Sequence, residues 1–65
     1  MKISFNGISQ EVATGTTIAE FLVQQGVQPA AVVAERNGEI LDAGALGDVL
    51  NEGDALNAFR VVAGG

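Results

Sequence analysis

A chain of 65 residues, 48% hydrophobic and 17% charged, has the composition of one small globular domain with too little core to hollow out a substrate pocket of ordinary size. Eight acids against three bases give a net charge of −5, which argues against nucleic acid as a partner, because phosphate binding needs clustered Lys and Arg. With no Cys and no His, the chain has no thiol nucleophile, disulfide, imidazole base or thiolate metal site.

These limits favour a module that acts on partners over a self-contained enzyme. No apolar run approaches the roughly 18 residues of a membrane helix. The start, Met1-Lys2-Ile3-Ser4-Phe5, alternates where a signal peptide would be continuously apolar. A cytoplasmic location is the expectation. No Gly-rich phosphate loop is evident, and the eight carboxylates fall mostly in turns and polar strand positions, where a solvated surface is the expected role.

Residues 1–12 read as a β-hairpin. Met1, Ile3 and Phe5 alternate with Lys2 and Ser4, the period of a half-buried strand. Asn6-Gly7 supplies the two positive-φ positions of a type I′ turn, and residues 8–12 return. A two-residue loop places Phe5 opposite Ile8, Ile3 opposite Gln10 and Met1 opposite Val12.

After a loop at residues 13–16, a helix is expected over 17–25. Thr17 and Glu20 have capping-box spacing, and Ile18, Phe21 and Leu22 make one apolar stripe. Gly26 suits the left-handed residue that ends a helix, Val27 offers the contact beyond it, and Pro29 prevents resumption. Residues 31–36 are β-rich, and Asn37-Gly38 signals a second hairpin into Glu39, Ile40 and Leu41. Residues 42–50 read as a loop with one helical turn whose leucines, Leu46 and Leu50, plug the core. Residues 51–54 are a turn, and the last strand is expected over 55–62, with Leu56 and Ala58 inward and Asn57, Phe59 and Val61 outward. The order ββ-α-β-(β)-β predicts an α+β, ubiquitin-like β-grasp: a mixed four- to five-stranded sheet packed on one helix. Residues 1–62 form the domain and residues 63–65 a flexible reactive tail.

That tail is Ala63-Gly64-Gly65. It carries no side chain larger than methyl, and three extended residues reach roughly 10 Å. Such an arm can thread a narrow channel and present a carboxylate inside another protein. A free carboxylate is a poor acyl donor, so a partner must activate it, most simply as an acyl-adenylate from ATP, after which a sulfur nucleophile gives a thiocarboxylate. Phe59 and Val61, outward on the strand that leads to the tail, are candidates for docking that partner.

The sequence resembles the ThiS family of thiamine-biosynthesis sulfur carriers. The opening Lys-Ile-Ser-Phe-Asn-Gly, the segment Val32-Val33-Ala34-Glu35-Arg36-Asn37-Gly38-Glu39-Ile40, Glu52-Gly53-Asp54 and the closing Val61-Val62-Ala63-Gly64-Gly65 carry the likeness. It implies that Gly65 is adenylated by an E1-like, ThiF-type adenylyltransferase using ATP and Mg. Sulfur then comes from a persulfide donor, and a ThiG-type thiazole synthase receives it, with no cofactor or metal held by this chain. Many members carry a basic segment with Trp after the central hairpin, where this chain has Asp42-Ala43-Gly44-Ala45-Leu46-Gly47. Two neighbouring readings are a molybdopterin-synthase small subunit and a protein modifier joined to target lysines through Gly65. A plain interaction domain with an incidental tail, or an undetected enzyme, is the third.

Overall fold

In the computed structural model, which describes residues 1–60, β1 (Lys2–Phe5) and β2 (Ile8–Glu11) form the first hairpin with the expected register. Asn6 and Gly7 take φ of 49° and 84°, the left-handed pair that matches the twist of the flanking strands. Val12 lies just past β2 and still exchanges both backbone hydrogen bonds with Met1. Gln10 faces Ile3 across the ribbon, and its amide donates to Gln25 Oε1 at 3.2 Å.

The helix α1 spans Ile18–Gln24, one residue shorter at each end than the spacing suggests. Thr17 caps it: the Glu20 N–H donates to Thr17 Oγ1, and the Thr17 N–H donates to the Glu20 carboxylate. Glu20 is held below the usual carboxylate range by the Thr17 backbone and side-chain hydrogen bonds. At the other end Gly26 adopts φ 77°. Its N–H donates to Val23 O and the Val27 N–H to Leu22 O, the paired bonds that satisfy the last carbonyls of a helix.

Pro29–Ala31 is a short 3₁₀ turn, not the start of a strand, so β3 is Val33–Arg36 and begins two residues later than expected. Proline stops the α-helix, but its fixed φ suits the first position of a new turn. The second Asn-Gly pair leads into β4, Glu39–Ile40. Leu41 falls outside that strand, although its N–H still donates to Ala34 O. A second 3₁₀ turn, Ala43–Gly47, is capped by the Asp42 side chain. Leu50 is buried and Leu46 packs partly against the core, as expected, while Val49 is exposed. Residues 48–50 run extended past the start of α1, where Ile18 donates to Asp48 and Leu50 to Thr16.

The sheet order is β2-β1-β5-β3-β4, where β5 is Ala55–Phe59. It pairs parallel to β1 and antiparallel to β3, giving the mixed five-stranded β-grasp sheet over one helix. β5 ends at Phe59, with Arg60 outside it, because its partner β3 begins at Val33, which pairs with Phe59. Residues 61 and 62 of the expected strand lie outside the described residues. The core between sheet and helix is built from Ile3, Phe5, Ile18, Phe21, Leu22, Leu50 and Leu56 with Val12 at its margin. Phe5 and Phe21 meet edge to face, their ring centres 5.2 Å apart.

One expectation about charge is overturned. Asp54 is buried, not solvated. It pairs with Arg36 at 2.9 Å and accepts from the Asn51 N–H and from Asn37 Nδ2, which is how a carboxylate out of water is stabilised.

Candidate functional site

β5 is the central strand of the sheet, and its side chains alternate between the helix-facing side and the open side. Leu56 is fully buried and Ala58 packs on the core, so Asn57 and Phe59 belong to the open face. Phe59 is 47% exposed. Directly across from it stands Val33 of β3, and Ile40 of β4, paired with Glu35, falls on the same face at 71% exposure. Phe59, Val33 and Ile40 therefore give the outer sheet face an apolar strip at the end where β5 leaves the sheet. Glu35 interrupts it and accepts from Asn57 Nδ2 at 3.0 Å.

Of the candidate residues read from sequence, the structure places Phe59 on that strip. Val61, Ala63, Gly64 and Gly65 lie outside the described residues. Val33 and Ile40 were not singled out from sequence. The signal was available: the Asn37-Gly38 turn fixes Ile40 opposite Glu35, on the face shared with Val33.

A concavity of about 550 Å³ opens beside the β3–β4 hairpin. Arg36, Asn37, Asp42, Asp48 and Asp54 are among the residues lining it, and Arg36 and Asp54 neutralise one another there. It lies at the start of β5, the opposite end of the strand from Phe59. Among the described residues no cluster of His, Cys, Asp or Glu could hold a metal ion. Among the same described residues, no helix is long and apolar enough to cross a membrane. What the described part offers is an apolar face beside the end of a central strand.

Comparison with known proteins agrees with this fold. The model of the ThiS family matches residues 3–65. A crystal structure of thiamine biosynthesis protein ThiS from Geobacter metallireducens superposes with a TM-score of 0.85, at 30% identity, covering all of both chains. A solution structure of a thiamine biosynthesis protein from the same organism gives a TM-score of 0.74 at 29% identity, over all of this chain and 88% of the other. A thiazole synthase of Magnetococcus marinus is 35% identical over 66 residues, a match that takes in the whole of this chain. The chain spans about a fifth of the length of that relative.

Proposed function

The chain belongs to the ThiS family, and from that membership we propose that it is a carrier of sulfur in thiamine biosynthesis and not itself a catalyst. The observation that carries the reading is the match to the family over residues 3–65, closing on Ala63-Gly64-Gly65, together with a structural likeness to a ThiS protein that covers the whole of both chains.

The reactive group is the carboxylate of Gly65. In an E1-like, ThiF-type adenylyltransferase supplied with ATP and Mg, a carboxylate oxygen bonds to the α-phosphorus of ATP and pyrophosphate leaves. The terminal sulfur of a persulfide donor then bonds to the carbonyl carbon and AMP leaves. A thiol reduces the resulting S–S bond, and Gly65 is left as a thiocarboxylate. Ala63 and Gly64 keep the arm thin enough to enter the partner. The strip of Phe59, Val33 and Ile40 docks the domain while the arm reaches the active site.

A ThiG-type thiazole synthase is the acceptor. Support comes from the relative described as a thiazole synthase, one fifth of whose length resembles this whole chain. A carrier joined to its acceptor enzyme delivers sulfur at high effective concentration.

The test is incubation with the activating enzyme, Mg-ATP and a persulfide donor, followed by intact-mass spectrometry. One oxygen should be replaced by sulfur, and the change should localise to the peptide that ends in Gly65. Conversion of a variant lacking Gly65, or of one with residues appended after it, overturns the assignment. Adducts to protein lysines that survive denaturation would favour the modifier reading instead.

A further inference from the structure

The two Asn-Gly turns grip β5 from its two sides by the same device. Asn37, at φ 52°, donates its N–H to Ala55 O (2.8 Å) and accepts the Ala55 N–H on its side-chain oxygen (2.9 Å). Asn6, at φ 49°, donates its N–H to Leu56 O (3.0 Å) and accepts the Ala58 N–H on Oδ1 (2.9 Å). Asn37 secures the start of the strand on the β3 side. Asn6 secures its end on the β1 side, where β1 has finished at Phe5 and the chain is reversing. The Asn6 side chain stands in for the next backbone carbonyl of the ladder. Asparagine suits the position because it tolerates left-handed φ and still offers a carbonyl. On the opposite edge β3 pairs as far as Phe59, so Ala58 and Phe59 are the last cross-braced point of the strand among the described residues.

We propose that Asn6 is a positioning residue for the C-terminal segment: its hydrogen bond to Ala58 fixes the direction in which β5 leaves the sheet, and so where the following chain is delivered. The proposal rests on the reading that Gly65 is the reactive end. Gly65 follows Ala58 by seven residues. Where a partner holds the segment extended, at about 3.3 Å per residue, a tilt of about 10° at Ala58 corresponds to roughly 4 Å at the far end. A partner that must thread this segment then has to restore the direction itself, and the effect falls on formation of the complex.

The experiment compares wild type with Asn6→Gly, Asn6→Asp and Asn37→Gly, well below their melting temperatures. Amide hydrogen exchange reads Ala58, and pyrophosphate release by the ThiF-type enzyme reads KM and kcat. Asn6→Gly keeps the turn and removes the acceptor. It should speed exchange at Ala58 and raise KM about three- to tenfold, the worth of one neutral hydrogen bond, with a smaller change in kcat. Asn6→Asp restores an acceptor and should return both readouts toward wild type. Asn37→Gly is the matched control, since Asn37 also holds Asp54. It should lower the melting temperature at least as much, while Ala58 protection and KM stay near wild type. A wild-type KM in Asn6→Gly, or an equal rise in Asn37→Gly, overturns the proposal and leaves the carrier reading standing. If the wild-type chain is not activated at all, the carrier reading falls and the proposal falls with it.

Discussion

Arg36 meets Asp54 at 2.9 Å, both side chains largely shielded from water, and the pair ties the end of β3 to the residue that ends the turn into β5. Burial alone would raise the Asp54 carboxyl. The Asn51 N–H, the Asn37 amide and the Arg36 guanidinium outweigh it and hold the group below its ordinary value. A carboxyl whose folded value is depressed contributes stability above its unfolded value, near 3.9, and loses it as pH falls through the lower folded value.

Wild type should therefore weaken in acid, below about pH 4. Asp54→Asn should cost about 3 kcal/mol at pH 7, because it leaves a shielded guanidinium without its counter-charge. The same variant should show a shallower decline toward pH 2, since the titrating group is gone. Denaturant melts at pH 7 and pH 3 read both effects. An equal gap between variant and wild type at the two pH values contradicts the linkage.

Gly26 gives a test that separates backbone strain from packing. It sits at φ 77°, and a Cβ added there would meet nothing within 4 Å. Gly26→Ala should then cost about 1–2 kcal/mol through left-handed strain alone. A chain of 65 residues is accessible to chemical synthesis, and D-alanine at the same position should instead stabilise by about 0.4–1 kcal/mol, by narrowing the unfolded ensemble. Urea melts of the two synthetic proteins should move in opposite directions. A loss with both enantiomers would mean that contact, not φ, governs the site.

The features legible in sequence are those that neighbouring residues decide. Asn6-Gly7 and Asn37-Gly38 set two hairpin registers, Thr17 and Glu20 set the helix start, and Gly26 sets its end. Each works through bonds made within a few residues. Asp54 was misread because its burial depends on Arg36, which reaches it only once β3 and β5 are side by side. The end of β5 at Phe59 was missed for a similar reason, since it is dictated by the 3₁₀ turn that delays β3. Phe59 was placed on the open face by strand alternation, but Val33 and Ile40 join it only through the pairing of three strands. The assignment of Gly65 stands as a proposal from the sequence, and that residue lies outside the described ones.

Docking by the outer face makes the last prediction, and it turns on how Phe59 differs from Phe21. Phe21 is 1% exposed and meets Phe5 edge to face, so Phe21→Ala should cost roughly 3–5 kcal/mol and bring a domain this small near unfolding. Phe59 is half open to solvent, and Phe59→Ala should cost under about 1.5 kcal/mol, because less apolar surface is lost and no enclosed cavity is left. If the strip it shares with Val33 and Ile40 docks the activating enzyme, the same substitution should raise KM about five- to thirtyfold, the range of an aromatic anchor at an interface. Ile40→Ser, on the two-residue edge strand β4, should act in the same direction with little change in melting. The chain carries a net charge of −5, so a partner face of opposite charge should bind it less quickly as salt rises. Thermal melts beside activation kinetics at low and high ionic strength separate the contributions. A Phe59→Ala protein that melts with Phe21→Ala, or that is activated with the KM of wild type, ends the assignment of this face as the docking surface.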